Sequence, residues 1–411
     1  FSLKISKTDL IDKYLIISII AVYLLVPALF ESISIYQLIS FEIWLGLILS
    51  TIISIFMIYS KYTERLNFEK IKYKKKIFTT SSLYFILLII FLWEALELIN
   101  IIKQFDPSVV RQDLFYKEST TEVINSRNLN SFIRLFFASF ILILYNEVLH
   151  NERKEKKKLM LFLLIIIVFQ ALQILFISNH RSPIITFIIF LIFVYHFYIR
   201  EIKINVKIAI FILIFLTIIF YWLSWSAYYR AGIIAEFDEV NLVHGMRGLS
   251  TALEIESIKQ AIKDGELKYE YGLQMIYNFI IWVPRIIWES KPFVSFSFRI
   301  TELIYGVPFV ETWVRTYTIP GEGYLQFGFI GMILWSIAFV YMYRLSKKII
   351  IKFPMILPFF LQVWSAFPVI VRGDLSTYFA RFFSVIITFF VIYFFLKLLA
   401  NLIPKYKDQQ L

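Results

Sequence analysis

The chain contains no cysteine among its 411 residues, which excludes disulfides and thiol chemistry but leaves the compartment open. It also lacks a glycine-rich phosphate loop and the HExxH, EF-hand and CxxC patterns. No outward Asp/Glu cluster has metal-ligand spacing, so neither a metal site nor a cofactor is expected. Histidine is scarce, with 4 in all. There is no internal repeat, and the two matching halves with Gly- or Pro-broken helices that many transporters show are not visible. No cleavable signal is visible either, so the first apolar run is expected to remain as an anchor.

Apolar residues are what the chain has in excess. They make up 59% of it, with a mean hydropathy of +0.72, against roughly 45–50% in ordinary soluble proteins. Runs of about 20 apolar residues recur along the whole length, the length a helix needs to cross a bilayer. A β-barrel would show weak dyad alternation instead. The expected fold is therefore an all-α polytopic membrane protein surrounded by lipid. The net charge of +12 would suit nucleic acid in a soluble chain. Here the lysines sit in short connections between spans, so no nucleic-acid partner is expected.

Ten spans are expected, near 12–30, 41–60, 80–100, 131–149, 159–178, 183–199, 206–227, 321–343, 353–371 and 379–400. Residues 1–227 then carry seven spans, 228–320 form one large loop, and 321–411 carry the last three. Every second connection is basic. Lys4, Lys7 and Lys13 precede the first span, and Lys61, Arg65, Lys70, Lys72 and Lys74 to Lys76 follow the second. Arg153, Lys154 and Lys156 to Lys158 follow the fourth, and Arg200, Lys203 and Lys207 the sixth. Arg344, Lys347, Lys348 and Lys352 follow the eighth, and Lys397, Lys405 and Lys407 close the chain. The positive-inside rule then places both termini in the cytoplasm. The loop 228–320 faces outward, with 101–130, the SNHRSP turn and VRGDLST. Pro183 falls in the first turn of the sixth span, where its missing N–H costs nothing.

A loop this long inside a membrane protein usually carries function. It opens on polar sequence (YYRAGIIAEFDEVNLVHGMRGL), continues into a surface helix (STALEIESIKQAIKDGE) whose DG ending suits a helix stop, and passes through LQMIYNFIIWVPRIIWESKP to TYTIPGEGY. Its arginines invite explanation, since charge bias disfavours them on the outer side. The outward cations are Arg181, Arg230, Arg247, Arg285, Arg299, Arg315, Arg372 and Lys291. Arg181 lies in a tight hairpin, Arg230 directly follows the seventh span, and Arg372 sits in a short RGD turn beside Asp374. All three should lie near the outer membrane level, where guanidinium forks suit a diphosphate. The competing reading pairs each arginine with a local carboxylate or a lipid headgroup.

Glu322 is the carboxylate that stands out, placed where the loop re-enters the membrane. Such a group is expensive unless paired or used. It could orient or deprotonate a hydroxyl, or serve as a charge at a helix N-terminus. Glu94 and Glu97 could face the bundle interior as structural partners. His180 could act as a general base or as a polar turn residue, and His244 has similar status. His150 and His196 fall on the cytoplasmic side. Trp282, Trp288 and Trp313 fit an interfacial aromatic belt, with sugar stacking as an added possibility.

Four segments, SNHRSP, YYRAG, WVPRIIWESKP and TIPGEGYLQFGFIG, together with the span pattern, resemble the oligosaccharide repeat-unit polymerases of O-antigen and capsule, the Wzy-type family. The motif similarity covers about 176–330 and the topology most of the chain. An arginine followed ten residues later by glycine, described for some members, is not present. The resemblance implies an inverting, metal-independent membrane glycosyltransferase of the GT-C kind, acting at the outer face of the bacterial cytoplasmic membrane. It would join undecaprenyl-diphosphate-linked oligosaccharides, with a chain-length regulator as a further partner. Arg181, Arg230 and Arg372, then Arg285, Lys291 and Arg315, would hold the diphosphate and sugars. Glu322 and then His180 would serve the acceptor hydroxyl, with Arg230 among the catalytic groups. An O-antigen ligase shares the donor but would need an acceptor-binding loop and usually a histidine. A polyprenyl-linked oligosaccharide flippase predicts symmetric halves and charges midway along several spans.

Overall fold

The computed structural model describes residues 10–28, 39–60, 181–199, 252–280, 296–305 and 316–402, together with Val283, Trp288 and scattered residues within 84–99 and 158–169. Among these residues the structure is helical, with no strand. In chain order the helices are α1 (Leu10–Ala28, with a π turn at Ala21–Leu25), α2 (Phe41–Tyr59) and α3 (Arg181–Val194, continued by a π turn at Tyr195–Ile199). The loop contributes α4 (Ala252–Lys263), α5 (Leu273–Ile280) and α6 (Phe296–Tyr305). They are followed by α7 (Thr318–Lys352), α8 (Leu357–Ser365), α9 (Phe367–Arg372) and α10 (Leu375–Leu402). α1, α2 and α7 are long and apolar enough to cross a membrane. The 19 residues of α2 span about 28 Å at 1.5 Å each, close to the hydrocarbon thickness of a bilayer.

α7 is not one straight helix. Phe327 (φ −144°, ψ 27°) and Gly328 (φ 61°, ψ −144°) leave the helical region, and the chain doubles back there. Trp335 thereby donates its indole N–H to Glu322 at 2.9 Å; thirteen residues of continuous helix would hold the two roughly 20 Å apart. The result is a helical hairpin with a short arm, 318–326, and a long arm, 329–352. A straight helix over 321–343 is therefore corrected: the long apolar arm begins after the reversal and runs to Lys352. Thr318 opens the short arm, its hydroxyl accepting the Gly321 N–H at 3.2 Å. Pro320 lies in the first turn, where no N–H is missed.

The long arm packs on α2, which presents Gly46, Ser50 and Ser54 one turn apart. Such small-residue faces let membrane helices approach closely, and the Ser50 hydroxyl reaches the Met332 carbonyl at 3.1 Å. α8 and α9 replace the expected ninth span by two short helices that break at Ala366. Pro368 supplies no N–H there. The Val369 N–H donates to the Ala366 carbonyl at 3.0 Å, and the Ser365 carbonyl accepts from Tyr14 of α1 at 3.1 Å.

Residues that close one end of the bundle are far apart in sequence. Lys347 donates to Asp12 at 3.0 and 3.1 Å, Tyr343 donates to the same carboxylate at 2.6 Å, and Arg344 reaches the Ser60 hydroxyl at 2.7 Å. Asp12 and Lys347 are both buried. Lys347 is therefore not a solvated charge in a connection, as its place in a basic run implied; it stays in the helix and is neutralised by α1. At the opposite end α4 ties down the start of α2. Ser40 donates to Glu256 from backbone and side chain at 3.1 and 2.7 Å, and Lys259 bridges to Glu42 at 2.9 Å. The apolar stripe of α4 (Ala252, Ile255, Ile258, Ala261) is buried and packs on α7. Its C-terminus falls at the expected DG, with Gly265 at φ +80°.

Candidate functional site

At the loop end, the short arm of α7, helices α5 and α6 and the start of α10 enclose a cluster of buried polar side chains. Glu322, Gln274, Asn278, Gln326 and Ser376 are each fully buried. Glu322 is at the centre. Its Oε1 accepts from Trp335 Nε1 at 2.9 Å and from Asn278 Nδ2 at 3.2 Å. Its Oε2 accepts from the backbone N–H groups of Leu375 and Ser376 at 2.6 and 3.4 Å. All four partners are N–H donors, the complement of an acceptor-only carboxylate. Two of them are the first N–H groups of α10, which have no partner within their own helix and favour a negative charge.

The same helix start is capped by Asp374. Its Oδ1 accepts the Thr377 N–H at 2.7 Å, and its Oδ2 accepts from the Ser297 hydroxyl of α6 at 2.7 Å. Such an N-cap satisfies a third orphan donor. Two carboxylates from different elements thus fix the turn that joins α9 to α10, and that turn carries Arg372. The Arg372 side chain is half-buried at the C-terminal end of α9.

The cluster continues through Gln274, which donates to Asn278 at 3.1 Å and to Ser376 at 2.9 Å. Arg299 of α6 donates to the Gln274 amide oxygen at 2.7 Å and to both oxygens of Glu270. This bidentate pair, stacked over the Tyr277 ring at 5.5 Å, is the local-carboxylate reading realised for one of the arginines expected to face outward. Gln326 completes the network, donating to Glu270 at 2.7 Å and accepting from the N–H groups of Gly272 and Gln274 at 3.0 and 3.3 Å.

Of the residues singled out in the sequence, the structure places Glu322 and the Arg372 turn side by side. Arg181 begins α3, but its side chain lies outside the described residues. His180, Arg230, His244, Arg285, Lys291 and Arg315 also lie outside them, as do Glu97, Trp282 and Trp313. Glu94 and His196 are buried, the latter edge-on to Phe197 at 5.0 Å. Gln274, Asn278, Gln326 and Glu270 were not anticipated, whereas Arg299 was among the cations singled out and has found a local carboxylate. Gln274 and Asn278 stand four residues apart in an otherwise apolar stretch, a spacing that puts both on one helix face and could have marked that face as polar. No protein-family model, curated protein or solved structure matches the chain.

Proposed function

We propose that the protein is a membrane glycosyltransferase that polymerises undecaprenyl-diphosphate-linked oligosaccharide repeat units at the outer face of the bacterial cytoplasmic membrane. The observation that supports this most is the convergence of loop helices, a folded-back arm and the Arg372 turn on one polar cluster at one end of an apolar bundle. A lipid-linked sugar keeps its tail in the bilayer and its diphosphate at the surface, so a site at the helix ends meets the reacting bond. The acceptor hydroxyl oxygen attacks the anomeric carbon, and the carbon–oxygen bond to the diphosphate breaks with its electrons. The diphosphate leaves, and the hydroxyl proton passes to a base. Preorganised cations stabilise the charge on the leaving group. Arg372 fills this role together with Arg181, Arg230, Arg285, Lys291 and Arg315. Glu322 has its oxygens engaged by four N–H groups and serves by positioning the α9–α10 turn. The proton acceptor is then sought at His180.

The test is complementation of a deletion strain with wild type, Arg181→Ala or Arg230→Ala at matched protein levels. Wild type should restore a ladder of many repeats, and the variants should leave single units. Full ladders from both variants would remove the arginine site. Long polymer that is never attached to its final acceptor would indicate a ligase.

A flippase remains the second reading because of one observation. The reversal in α7 and the break between α8 and α9 interrupt helices inside the bundle, as the broken helices of carriers do. If lipid-linked units fail to reach the outer surface without the protein, this reading replaces the polymerase.

A further inference from the structure

Tyr271 has a left-handed backbone, φ +47°, and a side chain that is 74% exposed. A residue with a Cβ is disfavoured in that conformation, and glycine would fit it without strain. The ring therefore gains little from burial and costs backbone strain, so its benefit is sought outside the folded chain. The conformation is enforced by the end of the α7 short arm. Glu270 N–H donates to the Leu325 carbonyl at 3.1 Å, Tyr271 N–H to the Gln326 carbonyl at 3.2 Å, and Gly272 N–H to the Gln326 side chain at 3.0 Å. Strain held in place by such contacts is characteristic of ligand-binding positions.

Two further rings stand beside it. Tyr269 lies 6.2 Å from Tyr271 between centroids, and Phe327, at the hairpin tip and 41% exposed, lies 6.3 Å away. On the side of α4 the neighbouring surface is charged, with Lys263, Asp264, Glu266 and Lys268 exposed. On the other side α5 exposes the apolar stripe Leu273, Ile276 and Phe279. The rings thus mark the boundary between a watery, charged surface and an apolar one. That order fits a ligand with sugars at one end and a hydrocarbon chain at the other. A general aromatic belt asks only for rings at the right depth, not for a strained and hydrogen-bonded mount.

We infer that Tyr269, Tyr271 and Phe327 form a subsite that stacks a sugar ring of a lipid-linked oligosaccharide, whose polyprenyl chain runs along Leu273, Ile276 and Phe279. The inference rests on the lipid-linked substrate proposed above and adds the place where its glycan is held. Rigid aromatic side chains lose little freedom on contact, which makes them economical stacking surfaces.

The experiment uses the full chain in lipid nanodiscs. Two probes are compared: lipid-linked oligosaccharides extracted from the source membranes, and undecaprenyl diphosphate, the same lipid stripped of its sugars. Wild type should bind the glycan-bearing lipid more tightly than the stripped one. Tyr271→Ala and Phe327→Ala should each lose about tenfold on the first and nothing on the second, while Tyr271→Trp retains binding. Tyr271→Gly should lose the same binding while its melting temperature holds or rises, which separates recognition from folding. Equal binding of both lipids by wild type, unchanged binding by the variants, or equal loss on both probes, as a simple membrane anchor gives, would each overturn the subsite. Discriminating binding without any polymer formation would leave the subsite standing and remove the polymerase.

Discussion

Gly323 and Gly331 face each other across the α7 hairpin with no room for a side chain. A Cβ on Gly323 would sit 2.1 Å from the Gly331 carbonyl oxygen, and one on Gly331 would sit 1.9 Å from the Gly323 carbonyl oxygen. The closeness of the two backbones brings the short arm against the long arm, and so brings Glu322 onto Trp335 and the start of α10.

Either Gly323→Ala or Gly331→Ala should therefore destabilise the protein by at least about 3 kcal/mol, the upper part of the overpacking range, because the obstructing atoms are backbone. Gly46→Ala should cost less. The atom it meets is the sulfur of Met332, a flexible side chain that can move aside. Thermal melts of the purified variants in detergent check the order. A Gly323→Ala protein as stable as wild type would contradict the hairpin.

Removing one partner of the buried Asp12–Lys347 pair should cost about 3–5 kcal/mol, since an uncompensated charge remains inside. Asp12→Asn and Lys347→Met are the single changes, and Asp12→Asn combined with Lys347→Met should recover much of the loss. A double mutant as unstable as the sum of the singles would contradict direct pairing.

Glu322→Ala should leave four buried N–H donors without their acceptor, at about 1–3 kcal/mol for each group left unsatisfied. Glu322→Gln should also destabilise, because its amide NH2 would face N–H donors. Pairing it with Asn278→Asp should restore part of the stability by returning a carboxylate to the network. Melts and turnover are measured together. A Glu322→Gln protein with wild-type stability and no activity would instead make Glu322 the base.

The absence of native cysteine allows labelling without background. A cysteine at Glu266, in the loop, should react with an impermeant maleimide from outside intact cells or spheroplasts. One at Ser60, beside Arg344 at the opposite end, should react only after permeabilisation. Labelling of both from the same side would contradict the assigned orientation.

The apolar runs showed helices in a membrane protein, and the DG ending of α4 was visible because glycine alone takes the needed backbone without strain. The hairpin was not. The short arm TIPGEGYLQ is far less apolar than the FIGMILWSI that follows it, but a drop in hydropathy at a span's outer end does not reveal a reversal at Phe327–Gly328, so both arms fell within one expected span. Only the repeated glycines of PGEGYLQFGFIG hinted at close backbones. Lys347 was placed by its position among other lysines, which says nothing of an aspartate 335 residues away. Glu322 was noticed for its cost in an apolar setting. Its role as the acceptor for the first N–H groups of α10 depends on a contact 53 residues away that no local pattern encodes.

Turnover by the purified protein in proteoliposomes supplied with lipid-linked repeat units separates joining from transport. The proposed reaction predicts a ladder of lengthening glycans, one polyprenyl diphosphate released for each bond formed, and loss of both in Arg372→Ala protein that remains folded. Repeat units that cross the bilayer without being joined, with no polyprenyl diphosphate released, would contradict it.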